Sequence, residues 1–238
     1  MKTKKVSVWV TGASSGIGKA IAIEFAKTGF TVFASSRNNV DLERINKELE
    51  NQNCSVEVTP CNVASHSNVD NTIKKILSKS KLGCLVNNAG ITTFKLAEEN
   101  SINEINEIIQ TNLLGSIYTI KAVLPHFIDN GGGTIINVLS VVANKVYTKS
   151  SAYSASKSGL LAYTNSLREE VRKYNIKVIN ILPGATETNM WPKKLRDEFK
   201  SQMMSPEDVA RAVVWAYLQD GNSVIEEIVI KPITGDLR

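Results

Sequence analysis

At 238 residues the chain is long enough to bury one large core. Hydrophobic residues make up 42% of it and aromatics 6%, so that core is mostly aliphatic, as buried parallel strands require. The net charge of +5 is thinly spread, which helps capture an anionic small molecule but lacks the clustered basic stretch of a nucleic-acid binder. No apolar run reaches membrane-spanning length, Cys54, Cys61 and Cys84 show no C-x-x-C spacing, and His66 and His126 have no ligand partners nearby in sequence; a membrane span, a disulfide scaffold and a metal centre are all disfavoured.

Lys2, Lys4 and Lys5 precede an apolar run at 6–10 that is too short for a secretory h-region, so a cytoplasmic location is expected. Val6, Val8, Trp9 and Val10 read instead as a buried strand. Gly12, Gly16 and Gly18 follow, and Ile17, Ala20, Ile21 and Phe25 then recur at helical spacing. Glycines between a strand and a helix form a turn suited to a dinucleotide diphosphate. They allow positive φ and close approach, the first helical N–H groups point at the anion, and Ser14 and Ser15 add donors.

A second strand at 31–34 ends in Ser35-Ser36-Arg37-Asn38. A strand tip in this position faces the adenosine ribose, where an acid would bind the 2′-hydroxyl of NAD. Ser36 in place of an acid removes repulsion of a 2′-phosphate, and the Arg37 guanidinium can grip that phosphate bidentately, so NADP(H) is favoured. The plainer reading of Arg37 is a solvated side chain opening the next helix, at 41–50.

A strand at 55–60 leads into Cys61-Asn62-Val63, a helix at 68–80 into a strand at 83–86, and this into Asn87-Asn88-Ala89-Gly90, small and amide residues suited to close ligand approach and to cross-links between strands. One long helical stretch is expected over 101–127. Within it Asn112 falls on or beside the apolar face, where an amide needs a partner. After Gly131-Gly132-Gly133 a strand at 134–139 ends at Ser140.

Tyr153 and Lys157, four apart, share one face of the following helix. A strand at 177–182 ends in Pro183-Gly184, with Thr186 and Thr188 beyond. Ser205-Pro206-Glu207 opens a last helix, and 225–230 is a last strand.

The ordered set Thr11-Gly12-x-x-x-Gly16-x-Gly18, Asn87-Asn88-Ala89-Gly90, Ser140 and Tyr153-x-x-x-Lys157 resembles the short-chain dehydrogenase/reductase family, over about residues 5–183. The resemblance implies an α/β, doubly wound, mainly parallel seven-stranded sheet with helices on both faces. One domain would span 1–238, with a short substrate lid at about 189–205. It implies that Gly12, Ser14, Ser15, Gly16, Ile17, Gly18, Ser36, Arg37, Asn62, Val63, Asn88, Ala89, Gly90, Tyr153, Lys157, Pro183, Gly184, Thr186 and Thr188 bind the nucleotide. Asn62 stands where the family usually has aspartate, so its contact to adenine would be uncharged and weaker. Catalysis would fall to Ser140, Tyr153, Lys157 and Asn112. For Asn112 two readings stand: holding a water that relays protons to Lys157, or a buried structural amide.

The chemistry implied is carbonyl–alcohol interconversion by hydride transfer with NADP(H). Tyr153 would be the general acid in reduction and the base in oxidation, and Ser140 would hold the carbonyl oxygen. Tyrosine titrates near 10, and bringing it to neutrality takes roughly 4 kcal/mol; the adjacent Lys157 ammonium and the positive oxidised nicotinamide are both expected to favour the phenolate. Ile91, Phe94, Val141, Val142, Tyr147, Met190 and Trp191 would line the pocket of a small-molecule substrate, with Lys145 and Lys193 available to an anionic one. The resemblance also implies a homodimer or homotetramer. The alternative is an NADP(H)-sensing regulator without turnover, which the presence of both Tyr153 and Lys157 disfavours.

Overall fold

The computed structural model describes residues 6–50 and 55–237; Lys2, Lys4, Lys5 and Cys54 lie outside the described residues. Seven strands form one sheet: β1 (Ser7–Thr11), β2 (Thr31–Ser35), β3 (Glu57–Val58), β4 (Leu82–Asn87), β5 (Gly133–Val138), β6 (Ile176–Pro183) and β7 (Glu227–Ile230). Their spatial order is β3-β2-β1-β4-β5-β6-β7, and every pairing is parallel. The order reverses between β1 and β4, and in such sheets the crevice at the carboxyl ends of the strands there receives the ligand.

Alternation along the strands feeds two hydrophobic layers. Val8 and Val10 point to one face and pack with Ile21 and Phe25 of α1 (Gly16–Lys27), Leu42 and Ile45 of α2 (Asn39–Glu50) and Val213 of the last helix. Trp9 points to the other, among Ile73 and Ile76 of α3 (His66–Lys79), with Ile120 and Phe127. Both faces of the sheet are therefore covered, and fully buried side chains such as Trp9, Phe25, Ile76 and Phe127 each contribute on the order of 1.5–3 kcal/mol.

The expected long helix at 101–127 is two helices: α4 (Ile102–Ile109) and α5 (Gly115–Asp129), joined by a π-helical turn over Gln110–Leu114. A wider turn adds a residue to the spiral, and π turns are often found at functional sites. The strand expected at 55–60 is paired only at Glu57–Val58. The remaining helices are α6 (Ser151–Val171), α7 (Lys193–Phe199) and α8 (Pro206–Tyr217). Ser205 caps α8, its hydroxyl accepting from the Asp208 N–H at 3.2 Å while the Asp208 carboxylate accepts from the Ser205 N–H at 2.8 Å.

Three fully buried asparagines run across the sheet in register. Asn87 Nδ2 donates to Asn137 Oδ1 at 3.1 Å, and Asn137 Nδ2 donates to Asn180 Oδ1 at 3.1 Å. Thr119 of α5 closes one end by donating to Asn87 Oδ1 at 2.6 Å. Each amide is paired inside a layer that excludes water, which fixes the register of β4, β5 and β6 just beneath their carboxyl ends.

Candidate active site

Two cavities open side by side at the carboxyl ends of the strands. The first, about 480 Å³, runs over the β1–α1 turn. Gly12 and Gly16 hold φ of 64° and 53°, conformations that need glycine. A Cβ on Gly12 would come within 2.7 Å of the Ala89 Cα. Thr11 ties this turn to the neighbouring strand tip: its hydroxyl accepts from the Asn88 N–H at 3.0 Å and the Ala89 N–H at 3.2 Å. Asn88 Nδ2 donates in turn to the carbonyls of Thr11 and Gly12, both at 3.1 Å.

Gly12, Ser14, Ser15, Gly16, Ile17, Ser36, Arg37, Asn62, Val63, Asn88, Ala89, Gly90, Tyr153, Lys157 and Thr188 all border this first cavity. The cradle of glycines, the start of α1 and the exposed Arg37 fit a phosphorylated dinucleotide. Gly18 does not reach the cavity. It is buried, and a Cβ there would lie 2.3 Å from the Gly12 carbonyl oxygen and from Asn88 Nδ2, so its role is close packing of α1 against the turn. The Asn62 side-chain oxygen accepts from the Ala64 N–H at 3.2 Å, closing a local turn that shapes the rim.

The second cavity, about 470 Å³, is more apolar. Ser140, Tyr153, Pro183, Gly184, Thr186 and Thr188 border it, so Pro183, Gly184 and Thr186 face this chamber rather than the diphosphate turn. Phe94 and Trp191 stack over it at 4.9 Å between centroids, and Val141, Val142, Tyr147 and Met190 complete much of its wall. Ile91 borders the first cavity instead. Lys145 is not free to greet an anion, for it donates to Asp236 Oδ2 at 2.9 Å; Lys193 opens α7 and is exposed. Sequence reasoning missed Asp236 and Leu237, which fold back from beyond β7 to border the second cavity. Nothing local marks that segment as a pocket wall.

Ile17, Thr92, Leu139, Tyr153, Thr188 and Met190 border both cavities, so Tyr153 stands where the two meet. Lys157, only 3% exposed, lies behind it with Nζ 5.8 Å from the ring centroid and 2.8 Å from the Val138 carbonyl, to which it donates. Burial pushes the phenol up to about 12, against the pull of a hydrogen bond with Ser140, and pushes the Lys157 ammonium down to about 8. The Lys157 ammonium, one of the two charges expected to make the phenol acidic, does not bring it below its usual value in the protein alone. The protein alone leaves Tyr153 protonated at neutral pH, because removing the phenolate from water outweighs the help of the Ser140 hydrogen bond.

Asn112 sits in the π turn, fully buried. Its Oδ1 accepts from the Ile91 N–H at 2.8 Å, and its Nδ2 donates to the Ile91 carbonyl at 2.9 Å and to Ser156 Oγ at 3.0 Å. Ser156 Oγ donates to the Tyr153 carbonyl at 2.7 Å. One amide thereby braces the loop after β4 against the turn of α6 that carries Tyr153. Among the described residues there is no group of three or more His, Cys, Asp or Glu placed to hold a metal ion, and no helix is long and apolar enough to cross a membrane.

The sequence pattern described as short chain dehydrogenase matches residues 6–198. The chain belongs to the short-chain dehydrogenase family. A sepiapterin reductase of Chlorobaculum tepidum is 33% identical over 237 residues, covering 96% of this chain and 97% of its own. An uncharacterized oxidoreductase of Staphylococcus haemolyticus is 31% identical over 94% of this chain and 96% of its own. Among solved structures, an alcohol dehydrogenase of the archaeon Thermococcus sibiricus complexed with 5-hydroxy-NADP superposes with a TM-score of 0.88 at 27% identity, covering 99% of this chain and 100% of that one. A closed form of serine dehydrogenase complexed with NADP+ gives 0.89 at 25% identity, covering 98% and 97%. Membership in this family makes the chain an oxidoreductase.

Proposed function

We propose that this oxidoreductase interconverts a carbonyl and a secondary alcohol with NADP(H), using Tyr153 as acid and base. The observation that carries the reading is Tyr153 at the junction of a nucleotide-shaped cleft and an apolar chamber, with Ser140 beside it and Lys157 behind. The nicotinamide cofactor supplies the hydride. Gly12, Ser14, Ser15 and Gly16 would hold its diphosphate, Asn62 and Val63 its adenine end, and Asn88, Ala89, Gly90 and Lys157 the ribose and nicotinamide. The NADP complexes among the structural neighbours support this choice of cofactor, and Arg37 beside Ser36 supports a 2′-phosphate.

Tyr153 is protonated in the protein alone, the state a proton donor needs when a carbonyl oxygen gains charge. Ser140 donates to the same oxygen and fixes it beside the phenol. Lys157 holds a positive charge behind the ring and favours the phenolate left after transfer, and Asn112 is a positioning residue. For oxidation the phenol must first lose its proton, and a nearby cationic nicotinamide would pull its raised pKa down.

Residues 189–205 are proposed as the lid, with the whole chain 1–238 acting as one dinucleotide-binding and catalytic domain. The segment is anchored where the Met204 N–H donates to the Ala185 carbonyl at 3.0 Å and the Glu187 N–H donates to the Met204 carbonyl at 2.9 Å, leaving Met190, Trp191, Leu195 and Phe199 over the chamber. A homodimer or homotetramer in the cytoplasm completes the reading. Oxidation of NADPH and of NADH should be followed across aliphatic, aromatic and pterin-type carbonyls. Turnover preferring NADPH supports the proposal; tight NADPH binding with no turnover on any carbonyl would favour a sensor instead.

A further inference from the structure

Among the described residues that border the apolar chamber there is no lysine, arginine or histidine, and the acidic one is Asp236. Its Oδ2 accepts from Lys145, on the loop that follows Ser140, and from Lys231, just beyond β7, both at 2.9 Å. Lys231 Nζ is also 2.9 Å from Oδ1, so one ammonium spans both carboxylate oxygens. The two ammonium groups hold the Asp236 carboxyl well below the usual carboxylate range, which keeps it ionised and keeps both lysines engaged. Lys157 is committed elsewhere, to the Val138 carbonyl, and borders the nucleotide cleft instead. Phe94 and Trp191 stack at 4.9 Å over a wall that Val142, Leu195 and Phe199 continue. A carboxylate brought into this chamber gives up its water and meets no cation of the wall, and a buried charge without a partner is costly.

Resting on the carbonyl-reductase reading, we infer that the substrate is a carbonyl compound without a negative charge, and that Asp236 determines this specificity by occupying both Lys145 and Lys231. A neutral ketone enters an apolar wall at little cost. A keto acid must either displace Asp236 from an ammonium group or go unpaired, so the chamber discriminates by what it denies the wrong substrate. The chain thus carries its own carboxylate in the place where a substrate anion would seek its counter-charge.

The test uses NADPH, the intact chain and ester–acid pairs of rising length: methyl pyruvate with pyruvate, methyl levulinate with levulinate, and methyl 4-acetylbenzoate with 4-acetylbenzoate. The kcat/KM of each ester should exceed that of its acid by about tenfold or more, the scale of a charged group left without its hydrogen bond. Asp236→Asn releases both ammonium groups and should narrow that gap by about threefold, through a gain on the acid, as expected for a partly exposed ion contact. Asp236→Glu keeps the carboxylate and should keep the gap. An acid reduced by the parent as well as its ester overturns the substrate class, a comparison that needs neither variant to fold. A gap that stays the same in Asp236→Asn, or closes equally in Asp236→Glu, overturns the role of Asp236. Binding of the same pairs to the NADP-loaded Tyr153→Phe variant separates the two readings. Preference for the ester in binding with no turnover by the parent refutes the reductase reading and sustains the chamber assignment; turnover of ester and acid alike refutes the chamber assignment alone; neither binding nor turnover of any member overturns both.

Discussion

Lys157 Nζ stands 5.8 Å from the centre of the Tyr153 ring, yet its hydrogen bond goes to the Val138 carbonyl at 2.8 Å. The lysine is held in a place where its own charge is poorly solvated. Its pKa falls from 10.5 to about 8 on burial, a difference of roughly 3 kcal/mol against the folded state at neutral pH. Between pH 8 and 10.5 the unfolded chain carries a proton here that the folded chain has released, so this residue makes stability rise with pH through that window. Tyr153 gives the opposite slope from pH 10 to about 12, where the folded chain keeps a proton that the unfolded one has lost. Lys157→Met should accordingly be more stable than the parent in urea at pH 7, by up to about 3 kcal/mol less the lost hydrogen bond, with the advantage fading by pH 10. A variant less stable than the parent at pH 7 would contradict the argument.

Tyr153→Phe removes one oxygen and leaves the ring in place. If the phenol is the proton donor, turnover should fall at least a thousandfold. The NADPH dissociation constant, measured by fluorescence, should stay within about threefold, since the cradle of Gly12, Gly16 and Asn88 is untouched. In the parent, carbonyl reduction should hold steady across neutral pH and decline as the phenol titrates. Alcohol oxidation should instead climb with pH. Identical profiles in both directions would remove Tyr153 from the proton step.

Arg37 is exposed at the rim of the nucleotide cleft, next to the buried Ser36. Ser36 Oγ donates to the Asn38 carbonyl at 2.8 Å, so its hydroxyl shapes the turn that presents the guanidinium. Arg37→Ala should weaken NADPH by about tenfold or more, as expected for a charge-assisted bidentate contact, and change NADH little. An unaltered NADPH/NADH ratio would show the arginine to be a solvated helix-opening residue.

What the sequence could reveal followed from locality. The β1–α1 turn, the strand tips at Asn88 and Ser140, and the pair Tyr153 and Lys157 are each defined within one βα unit, where spacing, glycine conformations and periodicity act directly. What it hid depends on residues far apart in the chain. Lys145 pairs with Asp236 across 91 positions, and that pairing brings the segment beyond β7 to the chamber wall. The π turn escaped because an added residue leaves the apolar periodicity on either side intact, and the rise in the Tyr153 pKa escaped because burial, which decides it, is a property of the assembled site.

Asn112 gives the sharpest test of how the site is held. Its side chain satisfies both backbone groups of Ile91 and reaches Ser156, whose hydroxyl meets the Tyr153 carbonyl. Asn112→Ala leaves buried polar groups unpaired, at about 1–3 kcal/mol each, so the variant should lose several kcal/mol in urea unfolding. Because the loss falls on the loop at Ile91 and on the turn bearing Tyr153, kcat should fall more than tenfold while KM for the carbonyl moves less than threefold. A residue that merely supported the core would lower stability and spare kcat. Asn112→Asp probes the same bonds differently: a carboxyl buried here protonates, so it keeps the acceptor for the Ile91 N–H and one O–H donor for either the Ile91 carbonyl or Ser156 Oγ. It should therefore recover part of the turnover lost in Asn112→Ala; a variant no better than Asn112→Ala would show that both amide donors are needed.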